Sequence, residues 1–298
     1  MPAMNDGLID LHIHSNLSCD GDFSPEDLVG FAREKGFRAI SIADHDTVGA
    51  YPAALEYGRD AGVEVIPSME VTTLFSGREF HLLLPFVDWT SPAVASIVGH
   101  MTRTRLDEAR ERVKLLQGMG ISITWDEVVK KSPAAPPLGV KIAQIVLEKP
   151  ESRENPVLGQ YYLNGNDLYA PYFFYRDFFM EGRLAYVPKK HIGLLEVLSM
   201  VPGTGAAPVL SHPGAYFQQT TRDDLVLLKE KGLLGMEVFT SYHSPEQVGV
   251  YSRLAEELDL VPTAGSDFHG KIKPHVAFGS RREGHYWMVE ELKKRNAN

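Results

Sequence analysis

Hydrophobic and polar positions along the chain switch repeatedly between a period of two and a period near 3.6. In LIDLHIH (8–14) the alternation predicts a strand, with His12 and His14 on one face and Ile13 turned into packing. SPEDLVGFAREKG follows with a helical spacing; Ser24 is placed to cap it, Pro25 to occupy its first turn and Asp27 to complete the cap. The pattern then repeats as AISIADHD, a helix near Tyr51 to Ala61, VEVIPSMEV, EFHLLLPFV, and a long amphipathic helix over roughly Pro92 to Gln117. It returns late in the chain as APVLSHPG, a helix at Asp223 to Lys231, GMEVFTSY, a helix from Pro245 to Leu258, and LVPTAGSDFHG. Strands alternating with helices predict an α/β fold with a mainly parallel sheet. About seven such units suggest a barrel, with its site at the C-terminal ends of the strands.

Between these regular stretches, 134–185 reads differently. PAAPP breaks the pattern, and aromatic residues then crowd the chain at Tyr161, Tyr162, Tyr169, Tyr172, Phe173, Phe174, Tyr175, Phe178 and Phe179. This segment is read as an inserted subdomain, leaving 1–133 and 186–298 for the barrel. Most of its rings are expected to pack against the barrel, with some available to stack on a base.

Chemistry-bearing residues collect where the β-runs end. The first run ends in His12 and His14 and is followed by Asp20; the second ends in Asp44, His45 and Asp46. Glu70 closes the third, His81 lies on the next, His212 follows APVLS, and Asp267 and His269 follow the last. Imidazoles mixed with carboxylates, without a thiolate set, suit Mn²⁺, Zn²⁺ or Fe²⁺ in a catalytic site rather than a structural zinc site.

Composition changes this picture little. The chain has 298 residues, 44% hydrophobic and 23% charged, with a mean hydropathy of −0.16. No apolar run approaches the ~20 residues that span a bilayer. The opening MPAMNDG lacks the basic and apolar segments of a secretion signal. A lone cysteine, Cys19, forbids an internal disulfide, so a reducing cytoplasm is the expected location. The net charge of −9 argues against a broad grip on duplex nucleic acid. Bound divalent cations would offset much of that charge locally, so an anionic substrate is not excluded.

DLHIHSNLSCDG, ADHD, the Glu70 segment, the His81 strand, SHPG and GSDFHG, in that order, resemble the successive motifs of the PHP (polymerase and histidinol phosphatase) domain, most closely its stand-alone phosphoesterases. The resemblance runs from Leu8 to about Gly279. It implies a distorted (β/α)7 barrel, TIM-barrel-like, holding two or three divalent metal ions, with Mn²⁺ favoured and Zn²⁺ or Fe²⁺ as alternatives. Carried over by position, it implies that His12, His14, Glu70 and Asp267 hold one metal, that Glu70 bridges to a second held by His81 and His212, and that Asp20, His45 and His269 hold a third. Asp10, Asp44 and Asp46 are expected behind the ligands, orienting their imidazoles, with Asp44 counted among the catalytic groups and Asp46 equally a helix cap. His243 is expected to contact phosphate or to protonate the leaving group. AYVPK follows the resemblance, giving Tyr186 and Lys189 as substrate contacts. Gly139-Val140-Lys141 departs from it, because relatives often carry Arg-Pro-His there; Lys141 supplies a point charge but no bidentate fork.

The implied function is hydrolysis of a phosphomonoester by a metal-activated hydroxide. The implied substrate is a small nucleotide, such as a 3′,5′-bisphosphonucleotide, or an oligonucleotide end. Histidinol-phosphate phosphatase is the second enzymatic reading. A metal-binding accessory or regulatory module is the non-enzymatic one, and it predicts missing ligands, which this sequence does not show. The sequence does not indicate an oligomeric state.

Overall fold

Local sequence signals account for the helix starts. Ser24 accepts the Asp27 backbone N–H while Asp27 reaches back to the Ser24 backbone, and the same reciprocal cap recurs with Thr124, Thr221 and Ser244. The computed structural model of the protein describes residues 7–18, 20–133, 136–163, 169–188 and 190–297. In chain order its elements are β1 (Leu8–Ile13), α1 (Pro25–Glu34), β2 (Phe37–Ile42), α2 (Ala53–Ala61), β3 (Glu64–Val65), β4 (Glu70–Phe75), β5 (Arg78–Leu83) and α3 (Pro92–Gly118). They continue with α4 (Trp125–Lys130), α5 (Gly139–Leu147), α6 (Ala170–Phe178), α7 (Leu194–Met200), β6 (Val209–Leu210), α8 (Arg222–Glu230), β7 (Gly235–Thr240), α9 (Pro245–Glu257), β8 (Val261–Gly265) and α10 (Trp287–Asn296). None of the helices among the described residues is long and apolar enough to cross a membrane.

The chain divides into two compact units, Met1–Gly99 with His191–Asn298, and His100–Lys190, the boundary falling inside α3. In the larger unit β1, β2 and β3 form a parallel sheet, and β4 to β8 form a second sheet in sequence order. In the second sheet β6, β7 and β8 run parallel, whereas β5 is antiparallel to both β4 and β6. The sheets are stitched together at the site end. Asp267 donates its backbone N–H to His12 O at 2.7 Å and His14 to Phe268 O at 2.9 Å, beyond β8. Asp46 donates to Glu70 O at 2.8 Å, beyond β2. The fold is thus mixed α/β, as the periodicity predicts.

The antiparallel β4–β5 hairpin corrects one expectation. VEVIPSMEV is not a single strand ending in Glu70. β3 stops at Val65, ahead of Pro67, which has no N–H to extend a ladder, and Glu70 begins the next strand. His81 then pairs with Thr72, diagonal to Glu70, so both side chains emerge on one face.

Two apolar clusters pack around β1. Ile9 and Leu11 join Val209, Val261, Ala264 and Leu292 in one cluster, and Ile13 joins Leu28, Ile40 and Ile42 in another. The smaller unit has its own core, in which Val113, Leu116, Ile142 and Val146 pack with Tyr161, Phe174, Phe178 and Phe179. Phe174 stacks on Phe178 with ring centroids 4.3 Å apart. Four of the aromatic residues that crowd this part of the sequence are therefore core, while Tyr169 and Tyr172 are exposed.

Candidate metal centre

β1 delivers His12 and His14 from one face, both fully buried, with their Nε2 atoms 3.0 Å apart. Two imidazole nitrogens at that distance repel unless a proton or a cation lies between them. His12 has its other nitrogen occupied: Nδ1 donates to the Glu237 carboxylate at 3.1 Å, which fixes the ring and leaves Nε2 facing the cluster. Gly265 permits this approach. A Cβ there would sit 2.3 Å from both His12 Cβ and Glu237 Oε1, so the close passage of β8 against β1 requires the residue without one.

Glu70 stands at the centre, with no exposure to solvent. Its Oε2 lies 3.3 Å from His12 Nε2, 3.4 Å from His14 Nε2 and 3.0 Å from His45 Nδ1. Its Oε1 faces the other way, 3.0 Å from His81 Nδ1, 3.2 Å from His212 Nε2 and within 2.9 Å of the Ser211 hydroxyl that donates to it. Asp267 Oδ1 lies 3.3 Å from His12 Nε2 and 3.1 Å from His14 Nε2. Asp20 Oδ2 lies 3.4 Å from both His45 Nε2 and His269 Nε2, and His269 stacks on His14 with centroids 3.9 Å apart. All nine residues singled out as ligands in the sequence thus converge. Three subsets bring their donor atoms within 4.8 Å of one another: His12, His14, Glu70 and Asp267; His14, Asp20, His45 and His269; and His45, Glu70 and His81.

The donor set fits divalent metal ions. Glu70 Oε2, Asp267 Oδ1 and His269 Nε2 face the cluster buried without a hydrogen-bond partner, an arrangement whose desolvation cost a coordinated cation would offset. Burial, and then the neighbouring His269 and His45, push His14 well below the ordinary histidine range; burial likewise lowers His45 and His212. These three rings are neutral at pH 7, the state that donates a lone pair to a metal. His81 is the exception: burial would lower it, but Glu70 and Glu79 raise it to about 9.

The three flanking aspartates all accept backbone N–H groups. Asp10 accepts N–H groups from His12 (3.3 Å), Ser266 (2.9 Å) and Gly279 (3.2 Å). Asp44 accepts the Ser15 N–H at 2.6 Å and its hydroxyl at 2.7 Å, and Asp46 accepts the Thr72 N–H at 3.0 Å. Where parallel strands end, amides lose their ladder partners and a short carboxylate replaces them. Burial pushes Asp10 and Asp44 up to about 6 despite these bonds. The carboxylate that does orient a ligand imidazole is Glu237, a charged residue in an otherwise apolar strand, GMEVF, and that anomaly was its available signal.

His243 also departs from expectation. Its Nε2 accepts the Gly214 N–H at 2.9 Å and its Nδ1 donates to Val238 O at 2.9 Å, so both nitrogens are committed to backbone. It clamps the loop after His212 instead of facing a leaving group. His243→Ala is therefore expected to destabilise the fold by about 1–3 kcal/mol, the cost of leaving buried partners unpaired. The pH profile of any activity should keep its shape; denaturant titration and a pH–rate series check the two halves.

Lys273 carried no signal in the sequence. Its ammonium lies 2.6 Å from Asp267 Oδ2 and 3.1 Å from the Tyr242 hydroxyl. Burial would raise Asp267, but Lys273 first, then His269 and His12, hold it well below the usual carboxylate range; burial pushes the Tyr242 phenol up to about 12. Lys273 thus occupies one oxygen of Asp267 and leaves the other for the cluster. Lys273→Met should cost about 3 kcal/mol of stability with a chelator present, where a buried charge loses its partner. The loss should shrink when Mn²⁺ is added, because a cation then neutralises Asp267. Denaturant midpoints under the two conditions measure it.

Of the expected substrate contacts, Lys141 lies half-buried on α5 and Tyr186 half-buried after α6, both in the smaller unit. Lys189 lies outside the described residues.

Residues 10–124 match the family model of the PHP domain. Over nearly its full length the chain is 28% identical to the phosphoribosyl 1,2-cyclic phosphate 1,2-diphosphodiesterase of Eggerthella lenta, covering 90% of this chain and 97% of that protein. It is 23% identical to the 3′,5′-nucleoside bisphosphate phosphatase of Chromobacterium violaceum (93% and 90%) and 26% identical to a 5′-3′ exoribonuclease of Salmonella typhimurium (88% and 85%). A crystal structure from Bifidobacterium adolescentis, of a protein assigned as a metal-dependent phosphoesterase, superposes with a TM-score of 0.81 at 27% identity, covering 96% of each chain.

Proposed function

We propose that this chain, whose residues 10–124 match the PHP domain, is a metal-dependent phosphoesterase of that family and hydrolyses a phosphate ester on a nucleotide or at the end of an oligonucleotide. The observation that carries this reading is the two-sided environment of Glu70, one oxygen toward His12, His14 and His45 and the other toward His81 and His212. A carboxylate so placed can serve two cations at once, the arrangement that phosphoryl hydrolysis exploits.

His12, His14, Glu70 and Asp267 would hold one ion; Glu70, His81 and His212 a second; Asp20, His45 and His269 a third. Such ions supply a nucleophile at neutral pH and neutralise charge on phosphate. The chain's own residues do the rest. Glu237 fixes the tautomer of His12, Lys273 holds Asp267 to one free oxygen, and Ser211 donates to Glu70 and so sets its carboxylate plane. Asp20, His45 and His81 keep a little solvent exposure, which supports entry of a substrate from their side of the cluster.

The imidazole–carboxylate set favours Mn²⁺, with Zn²⁺ or Fe²⁺ as alternatives. The two stitched sheets are read as one distorted barrel of seven strand–helix units, and a cytoplasmic location accords with the lone cysteine. The nucleotide reading is supported by two relatives, whose substrates are a nucleoside bisphosphate and RNA, while a third acts on a base-free ribose ester, a phosphoribosyl cyclic phosphate. The accessory-module reading expects gaps among the ligands, whereas all nine are present and gathered. The test is turnover by Mn²⁺-reconstituted protein on a panel holding nucleoside 3′,5′-bisphosphates, 5′-phosphorylated oligonucleotides and histidinol phosphate. Release of phosphate from histidinol phosphate alone would overturn the nucleotide reading.

A further inference from the structure

The loop from His212 to Thr220, between β6 and α8, is held more firmly than a connection of its length needs. The buried Gln218 side chain donates to Ser211 O at 3.0 Å and to the Thr220 hydroxyl at 3.1 Å, while its carbonyl accepts the His81 N–H at 3.3 Å. Ala215 donates back to His212 O, Thr220 to Pro213 O, and Gly214 to the His243 ring. Nevertheless this pinned loop presents Tyr216 to solvent with 60% of its surface exposed. Next to it Phe217 packs with its ring centroid 5.4 Å from His81 and 5.5 Å from His212, and Tyr216 meets Phe217 edge-on at 5.3 Å. Tyr242 closes the row, 4.7 Å from His212 and 6.1 Å from Phe217.

The row has a direction. At one end the Tyr242 hydroxyl meets Lys273, which meets Asp267, so that end is polar and cationic beside the metal ligands. At the other end Tyr216 offers an exposed ring on a rigid support. Phe217 packs against the imidazoles, whereas Tyr216 keeps most of its surface open to solvent. A phosphate held at the cluster would carry its attached group outward along these rings. A flat π-faced group would gain most there, because stacking requires only a face and is tolerant of base identity.

Resting on the phosphoesterase reading above, we propose that Tyr216, Phe217 and Tyr242 form the nucleobase platform of the site and set its preference for nucleotides over base-free phosphate esters.

The test compares wild type, Tyr216→Ala and Tyr216→Phe, all Mn²⁺-loaded, on adenosine 3′,5′-bisphosphate and on ribose 5-phosphate, with equilibrium dialysis of adenosine, which carries no phosphate, as a second readout. Tyr216→Ala is expected to raise KM for the bisphosphate at least tenfold at nearly unchanged kcat, to weaken adenosine retention by a similar factor, and to leave ribose 5-phosphate kinetics alone. Tyr216→Phe should restore both. An alanine variant with wild-type KM and adenosine affinity would overturn the platform, as would equal losses on both esters, which signify a structural role. If wild type hydrolyses no phosphate ester, the phosphoesterase reading falls, and the adenosine dialysis alone then decides the platform: equal retention by wild type and Tyr216→Ala overturns it.

Discussion

Glu70→Gln is expected to lower kcat/KM on the best phosphate ester by about a thousandfold, some 4 kcal/mol of transition-state stabilisation. The reason is positional. Among the described residues Glu70 is the carboxylate whose two oxygens face different groups of imidazoles, so an amide there removes charge from both sides and substitutes an N–H₂ that repels a cation. Elemental analysis should show metal content falling with activity. His269→Asn is the control: His269 lies 3.4 Å from Asp20 and 3.5 Å from Asp267 on the side where the cluster meets solvent, and as a ligand through one nitrogen it can serve only one cation, so its loss should be milder. A Glu70→Gln enzyme within tenfold of wild type would refute the bridging role.

Chelation should act on stability as well as on turnover. Purified without chelator, the protein is expected to carry two or three divalent ions per chain. An ion present at a thousand times its dissociation constant stabilises the fold by about 4 kcal/mol. Four carboxylates, Asp20, Glu70, Asp267 and Glu237, lie buried or nearly so around one cluster of imidazoles, an arrangement that metal cations relieve. Removal of the ions should lower the unfolding midpoint by at least about 10 °C, the share of a single such ion on the usual scale for a domain of this size, and Mn²⁺ should restore it. Calorimetry with and without chelator, beside elemental analysis of the untreated protein, checks both; a metal-free preparation with an unchanged midpoint would refute the site.

Much of this site was legible because metal chemistry selects few side chains and a strand displays them at a fixed period. His12 and His14 needed only the alternation of β1 to share a face, and their neighbours followed from a run of His, Asp and Glu at the ends of β-runs. What could not be read was the direction of the chain between them. The short β3 and the reversal into the β4–β5 hairpin are tertiary events, and Glu70 and His81 meet through antiparallel pairing rather than as two strand ends. Partners that act through one contact, such as Lys273 on Asp267, leave no periodic trace. For the aromatic residues of 161–179 composition reports rings but not which face they bury: most are expected to pack, and Phe174, Phe178 and Phe179 are core, but which rings stay exposed could not be read.

Three residues of this cluster and its support, Asp46, His212 and Asp267, hold their backbones at positive φ (56°, 23° and 57°). Such conformations cost on the order of 1–3 kcal/mol each for residues other than glycine, and persist only where the surrounding fold imposes them. The site is therefore written in the peptide backbone as much as in its side chains. Anyone transplanting it into another scaffold must reproduce those three turns; a host carrying the nine side chains on relaxed loops would inherit the ligands without their aim.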